Sequence, residues 1–145
     1  MTHTDKAKKY FEQKYQCSQA VLASFSEELG LTEKQALKLG GCFGGGMYKG
    51  EVCGACTGAL MAIGLKFGQF EPNDIESKQK AKDLTVKFLD LFSAENGSYL
   101  CKDLLGCDLS TEQGKKIAVD NNLFTEFCPK MVESAVKLTE QLMNE

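Results

Sequence analysis

Apolar residues recur at intervals of three and four along almost the whole chain, and no convincing segment alternates between apolar and polar positions. Intervals of three and four residues keep side chains on one face of an α-helix, whereas alternation is typical of a half-buried strand. The only prolines, Pro72 and Pro129, both stand where a helix would begin. The pattern therefore predicts an all-α fold: a single compact bundle of about six or seven helices of unequal length.

The apolar stripes and their capping residues outline the individual helices. Short helices are expected at about 5–14, 32–39 and 101–105, and longer ones at 16–30, 73–94 and from 128 onward. The segment 52–65 is rich in Gly, Ala and Cys and is expected to be the central buried helix. Segment 111–118 also has helical spacing, although Gly114 weakens it because glycine is a poor helix former.

A glycine-rich run at 40–50 precedes the central helix, and Gly54, Gly58 and Ala62 then recur every four residues. Neither G-x-G-x-x-G nor G-x-x-x-x-G-K-[ST] is present, so the run carries no nucleotide-loop motif. Glycine lets a backbone pass close to a neighbour. We therefore expect these residues to allow close approach to another helix or to a bulky group.

Composition and charge argue against several classes of function. The 145 residues are 43% hydrophobic and 26% charged, which fits one globular domain spanning 1–145. A net charge of −3 gives no support for a nucleic-acid partner. The only histidine, His3, lies near a terminus expected to be loose, so a Cys–His dyad, a Ser–His–Asp triad and a His-ligated haem are disfavoured. No hydrolase or transferase signature is present.

The location expected for the protein is the cytoplasm. The N-terminus is charged and lacks the apolar segment of a secretion signal, and the longest uncharged apolar stretch, 52–65, is too short for a membrane span. In that compartment stable disulfides are unusual, and clustered cysteines more often indicate metal binding or redox turnover. The chain contains seven cysteines.

Four of the seven cysteines occupy the same kind of position in a helix. Each stands in the first turn of a predicted helix, on or beside the apolar stripe that would be buried. They are Cys17, Cys53, Cys101 and Cys128. A helix N-terminus carries partial positive charge and favours the thiolate, which is the form that binds metal or attacks a disulfide. We expect these four helix starts to converge on one site, although buried, inert thiols are the alternative.

Cys53 and Cys56 form a C-x-x-C, in which both sulfurs share a helix face. A thioredoxin-like site would need a preceding strand, and the glycine-rich run is a poor strand. Thr57 follows instead of histidine, so the motif for covalent haem attachment is absent. Cys42 and Cys107 are expected in loops.

The ordered set Cys17…Cys53-Gly-Ala-Cys-Thr-Gly58…Cys101…Cys128 resembles the C-GCAxxG-C-C family of redox-active proteins, and the resemblance spans nearly the whole chain. Carried over position by position, the four family cysteines are the same four that stand at helix starts. Cys42, Cys56 and Cys107 are additional to the family pattern. Similar domains are fused to haem cytochromes, where an iron–sulfur cluster has been proposed, so the resemblance implies electron transfer.

The leading hypothesis is therefore an electron-transfer protein in which Cys17, Cys53, Cys101 and Cys128 bind a [2Fe–2S] or [4Fe–4S] cluster. The alternative is a thiol–disulfide oxidoreductase or redox sensor that uses Cys53 and Cys56 as its catalytic pair. A third interpretation is a structural zinc site with four cysteine ligands in an interaction module. A redox partner protein is expected, and a homodimer is left open.

Overall fold

Eight α-helices and no β-strand make up the fold in a computed structural model that describes residues 1–145. The helices are α1 (His3–Glu12), α2 (Cys17–Phe25), α3 (Glu33–Leu39), α4 (Gly54–Phe67), α5 (Ile75–Asn96), α6 (Cys101–Leu105), α7 (Glu112–Asp120) and α8 (Cys128–Met143). The all-α prediction is confirmed, with eight helices instead of six or seven. None of them combines the length and the apolar character that crossing a membrane requires.

The end of α2 differs from the sequence prediction. This helix ends at Phe25, and a separate 3₁₀ turn, Glu27–Leu29, fills most of the remaining distance to Gly30. The hydroxyl of Ser26 donates to the carbonyl of Ala23 and competes with continued helical bonding. Gly30, with φ of 82°, then ends the 3₁₀ turn in the left-handed conformation that glycine tolerates.

Gly114 has a different role from the one expected. It lies inside α7, which continues to Asp120 despite the low helix propensity of glycine. A Cβ atom at this position would lie 1.8 Å from the carbonyl oxygen of Asp108, so only glycine fits. The turn before α7 packs directly on this residue, and tertiary packing outweighs propensity here.

The N-terminus is held in place, contrary to the prediction of a loose end. Thr2 and Asp5 form a reciprocal capping box at the start of α1. The ring of His3 stacks on Phe25 with 4.2 Å between ring centroids, and its Nδ1 lies 2.7 Å from a carboxylate oxygen of Glu140 in α8. Its Nε2 pairs with Glu28. These contacts connect α1 to elements far along the chain.

The core surrounds α4, which packs against α2, α5 and α8. As predicted, the Gly/Ala/Cys-rich helix is central, and its small buried residues let its neighbours approach closely. The largest fully buried side chains of this core are Phe25, Phe88, Phe92 and Leu22 around α4 and Ile63 on α4 itself. On the long helix α5 only Leu84, Phe88 and Phe92 are buried; Ile75, at its first turn, is exposed.

Candidate functional site

Four cysteines stand at the starts of four helices, as the sequence predicted. Cys17, Cys101 and Cys128 are the first residues of α2, α6 and α8, and Cys53 is the residue before the first turn of α4. All four line one open cavity of about 590 Å³. All seven cysteines of the chain are free thiols.

The glycines of α4 bring the starts of α2 and α4 together. A Cβ atom at Gly54 would lie 3.3 Å from the Cβ of Cys17, and one at Gly58 would lie 2.6 Å from the carbonyl oxygen of Ser18. A larger residue at Gly58 would push the helices apart, because the second distance is shorter than any real van der Waals contact. The small-residue face of α4 therefore determines how close Cys17 lies to Cys53.

A single antiparallel bridge connects the segments that precede α4 and α6. Val52 and Leu100 are opposite each other in this bridge. The N–H of Cys53 donates to the carbonyl of Tyr99 at 2.8 Å, and the N–H of Cys101 donates to the carbonyl of Glu51 at 2.6 Å. Both cysteines thus follow directly after a paired backbone, which holds them beside each other.

The glycine-rich run folds around Gln16, the residue before Cys17. The side-chain amide of Gln16 donates to the carbonyl of Gly41 at 3.0 Å and to the hydroxyl of Tyr48 at 2.6 Å. Its oxygen accepts the N–H of Gly44 at 2.8 Å. Residues 45–48 all have positive φ, between 58° and 64°, a costly conformation for the two that are not glycine, Met47 and Tyr48.

The thiols of Cys17 and Cys128 are neighbours although 111 positions separate them in the sequence. The interaction with the Cys128 thiol, together with burial, raises the pKa of Cys17 well above its ordinary value. For Cys101 burial is the largest cause of the raised pKa, about 12, and nearby Cys53 and Cys128 add to it. The thiols of Cys17 and Cys101 are therefore protonated at neutral pH.

Cys53 and Cys56 form a second pair of neighbouring thiols, with opposite pKa shifts. The Cys56 thiol and the backbone N–H groups of Ala55 and Cys56 stabilise the thiolate of Cys53 and lower its pKa. The same interaction, with burial, raises the pKa of Cys56. Cys56 is completely buried behind Cys53 and does not line the cavity.

Cys107 lies in a loop, as expected, but its side chain is buried near Cys101 and Cys128. Burial is the largest cause of its raised pKa, and proximity to Cys128 adds to it. No apolar stripe or motif in the sequence marks this position as close to the site. Cys42, also expected in a loop, is instead the last residue of a 3₁₀ turn, Gly40–Cys42, and is exposed.

No three cysteine, histidine or carboxylate side chains are grouped closely enough to hold a single metal ion. A zinc site with four cysteine ligands requires such a group, because four sulfurs surround one ion at about 2.3 Å. An iron–sulfur cluster distributes its four thiolates over two or four irons. Cys17, Cys53, Cys101 and Cys128 line the same cavity and, as thiolates, are of the ligand type that such a cluster uses.

Comparison with known proteins identifies the family of the chain. The family model "Putative redox-active protein (C_GCAxxG_C_C)" matches residues 15–142. The chain belongs to this family. No curated protein and no solved structure matches the chain. Cys17, Cys53, Cys101 and Cys128 all lie within the matched residues.

Proposed function

We propose that the protein transfers electrons through an iron–sulfur cluster bound by Cys17, Cys53, Cys101 and Cys128. The observation that carries the proposal is the common cavity: four thiols from four separate helix starts line it. No carboxylate lines this cavity, so the oxygen ligands that harder metals prefer are missing from its wall. When bound, a cluster supplies one-electron transfer.

The residues around the thiols support the same proposal. Each cysteine lies at a helix start, where backbone N–H groups without intrahelical partners can donate to a bound anionic group. Apolar side chains such as Leu104, Phe127 and Met131 line the cavity beside them. A low-dielectric environment and N–H donors near the sulfurs are two of the means by which proteins adjust the potential of a cluster. A redox partner protein and a cytoplasmic location belong to this proposal.

Metal analysis and visible absorption of anaerobically reconstituted protein test the proposal. Wild-type protein is expected to bind iron and sulfide and to absorb in the visible range. Cys53→Ser should lose most of the absorption, to below about a tenth of wild type, because a hydroxyl is a harder and much less acidic ligand than a thiol.

Cys107→Ser is the matched control, since it removes a buried thiol near the site that lies outside the family pattern. It should keep the iron content and the absorption. A colourless, iron-free wild-type protein would contradict the proposal, as would equal loss in both variants.

A second candidate function, thiol–disulfide exchange, is favoured by the contact between Cys53 and Cys56. The lowered pKa of Cys53 is typical of an attacking thiolate, and the adjacent Cys56 thiol could resolve a mixed disulfide. In such an exchange, the Cys53 thiolate attacks a substrate disulfide and releases one thiolate. The Cys56 sulfur then attacks Cys53 and releases the second thiolate, which leaves a Cys53–Cys56 disulfide.

Cys56→Ser separates the two functions. If the four-thiolate proposal is correct, this variant should keep the visible absorption that Cys53→Ser loses. If exchange is the function, Cys56→Ser should trap a mixed disulfide with a small disulfide substrate, while metal content is low in every variant. No observation in the structure favours the third interpretation, a zinc site with four cysteine ligands.

A further inference from the structure

The cavity extends well beyond its cysteine wall. Its volume of about 590 Å³ falls in the range of small-molecule sites, and 14 of its 21 lining residues are hydrophobic. Five aromatic rings, those of Phe11, Tyr15, Tyr48, Phe124 and Phe127, are among them. Aromatic walls favour flat ligands, since rings stack face to face with an offset or edge to face.

The charges around the cavity restrict its occupant further. No aspartate or glutamate lines it, so a cationic ligand would find no counter-charge there. The only charged lining residues are Lys14 and Lys115, and Lys14 has no ion-pair partner. The chain contains no arginine and no phosphate-binding loop, so a phosphorylated nucleotide would lack its usual anchors.

Hydrogen-bond donors are available for neutral oxygen atoms. The hydroxyl oxygen of Tyr48, a lining residue, accepts from Gln16, which leaves its O–H hydrogen free to donate to a ligand. The ammonium of Lys14 can do the same. Apolar aromatic walls with a few such donors match a planar molecule that carries carbonyl oxygens.

We propose that this cavity binds a quinone, with its ring between the aromatic side chains and its edge towards the cysteine wall. The choice of a redox-active ligand rests on the proposed function, because a molecule in this cavity lies against the thiols that would form the redox centre. The apolar walls would bind the ring, and Lys14 and Tyr48 would donate to the carbonyl oxygens.

Duroquinone is a suitable probe, because its fully methylated ring has no free position for thiols to attack by substitution. Isothermal titration of the metal-free protein, with its thiols reduced and oxygen excluded, should show saturable binding. Phe124→Asp should weaken this binding at least about tenfold, because it removes an aromatic wall and places a carboxylate in the cavity. Val119→Asp, at an exposed position that also lines the cavity, should weaken it as well.

Ile117→Asp is the matched control. Ile117 lies on α7, is 39% exposed against 38% for Phe124, and does not line the cavity. This variant should bind duroquinone within about twofold of wild type. Circular dichroism checks that each variant keeps its helices.

Three results would overturn the proposal. The first is that duroquinone shows no saturable binding to wild type, and the second is that it binds Phe124→Asp and Val119→Asp as tightly as wild type. The third is that wild type binds laurate more tightly than duroquinone. The last result would assign the cavity to apolar chains instead of rings. Titration of metal-free protein separates this test from the proposed function. Protein that binds duroquinone but never iron contradicts the cluster alone, whereas coloured protein without duroquinone binding contradicts the quinone site alone.

Discussion

At the scale of single residues, the side chain of Gln16 connects the glycine-rich run to the start of α2, where Cys17 lies. Its amide makes three hydrogen bonds to Gly41, Gly44 and Tyr48. A Cβ atom at Gly44 would lie 2.4 Å from the Gln16 side-chain oxygen, so the glycine allows this close contact. Gln16 is therefore a positioning residue for the run that borders the cavity.

We predict that Gln16→Ala loosens residues 41–48 without unfolding the protein. Loss of the amide should lower the free energy of unfolding by about 1–3 kcal/mol, since it leaves part-buried backbone groups without partners. Hydrogen exchange should become faster at 41–48 and stay unchanged in α5. Gln79→Ala, which removes only an exposed hydrogen bond to Asp83, is the control and should cost less than about 0.5 kcal/mol. Unchanged exchange at 41–48 would refute this role.

At the scale of elements, the packing of α4 against α2 depends on which face of α4 a glycine occupies. Gly58 faces the backbone of Ser18, whereas an added Cβ at Gly64 would meet nothing within 4 Å. Both residues lie in the same helix. They have the same helix propensity but opposite packing constraints.

Alanine substitution should therefore change stability in opposite directions at these two positions. Gly58→Ala should lower the free energy of unfolding by about 2 kcal/mol or more, because α2 must move away from α4. Gly64→Ala should raise it by about 0.5–1 kcal/mol, since alanine is the better helix former and has space. Urea unfolding followed by circular dichroism measures both changes. Destabilisation of similar size in the two variants would show that the clash at Gly58 is not the cause.

At the scale of the whole molecule, His3 connects the first helix with the last. Burial lowers the pKa of its ring, but hydrogen bonds with Glu140 and Glu28 outweigh this, and the net pKa is raised above 6.5. A raised pKa in the folded protein means that the protonated ring stabilises the fold. This stabilisation is complete below the ordinary pKa and is lost as the pH rises through the raised value.

The melting temperature of His3→Gln should accordingly fall below that of wild type in acidic buffer. The difference should be largest near about pH 5.5 and should shrink towards about pH 9, where the wild-type ring is neutral. Thermal unfolding across this range measures it. A difference that is independent of pH would mean that His3 acts only by stacking on Phe25.

Much of this architecture follows from the sequence alone, because helix formation depends on local spacing and capping. The three-to-four periodicity predicts an all-α fold, and the capping box of Thr32 and Gln35 marks the start of α3 where the structure has it. The same local rules identify Cys17, Cys53, Cys101 and Cys128 as residues at helix starts. The location of these four cysteines at helix starts can therefore be predicted from the sequence. That all four line one cavity cannot.

Tertiary structure alone decided which thiols are neighbours and what surrounds them. Cys17 and Cys107 both lie close to Cys128 through packing between segments far apart in the sequence, which no local periodicity encodes. Gly114 lowers the helix propensity of its segment, but it is required because the Asp108 carbonyl packs against it. Local sequence determines where a helix starts, whereas contacts between helices determine where that start lies in space.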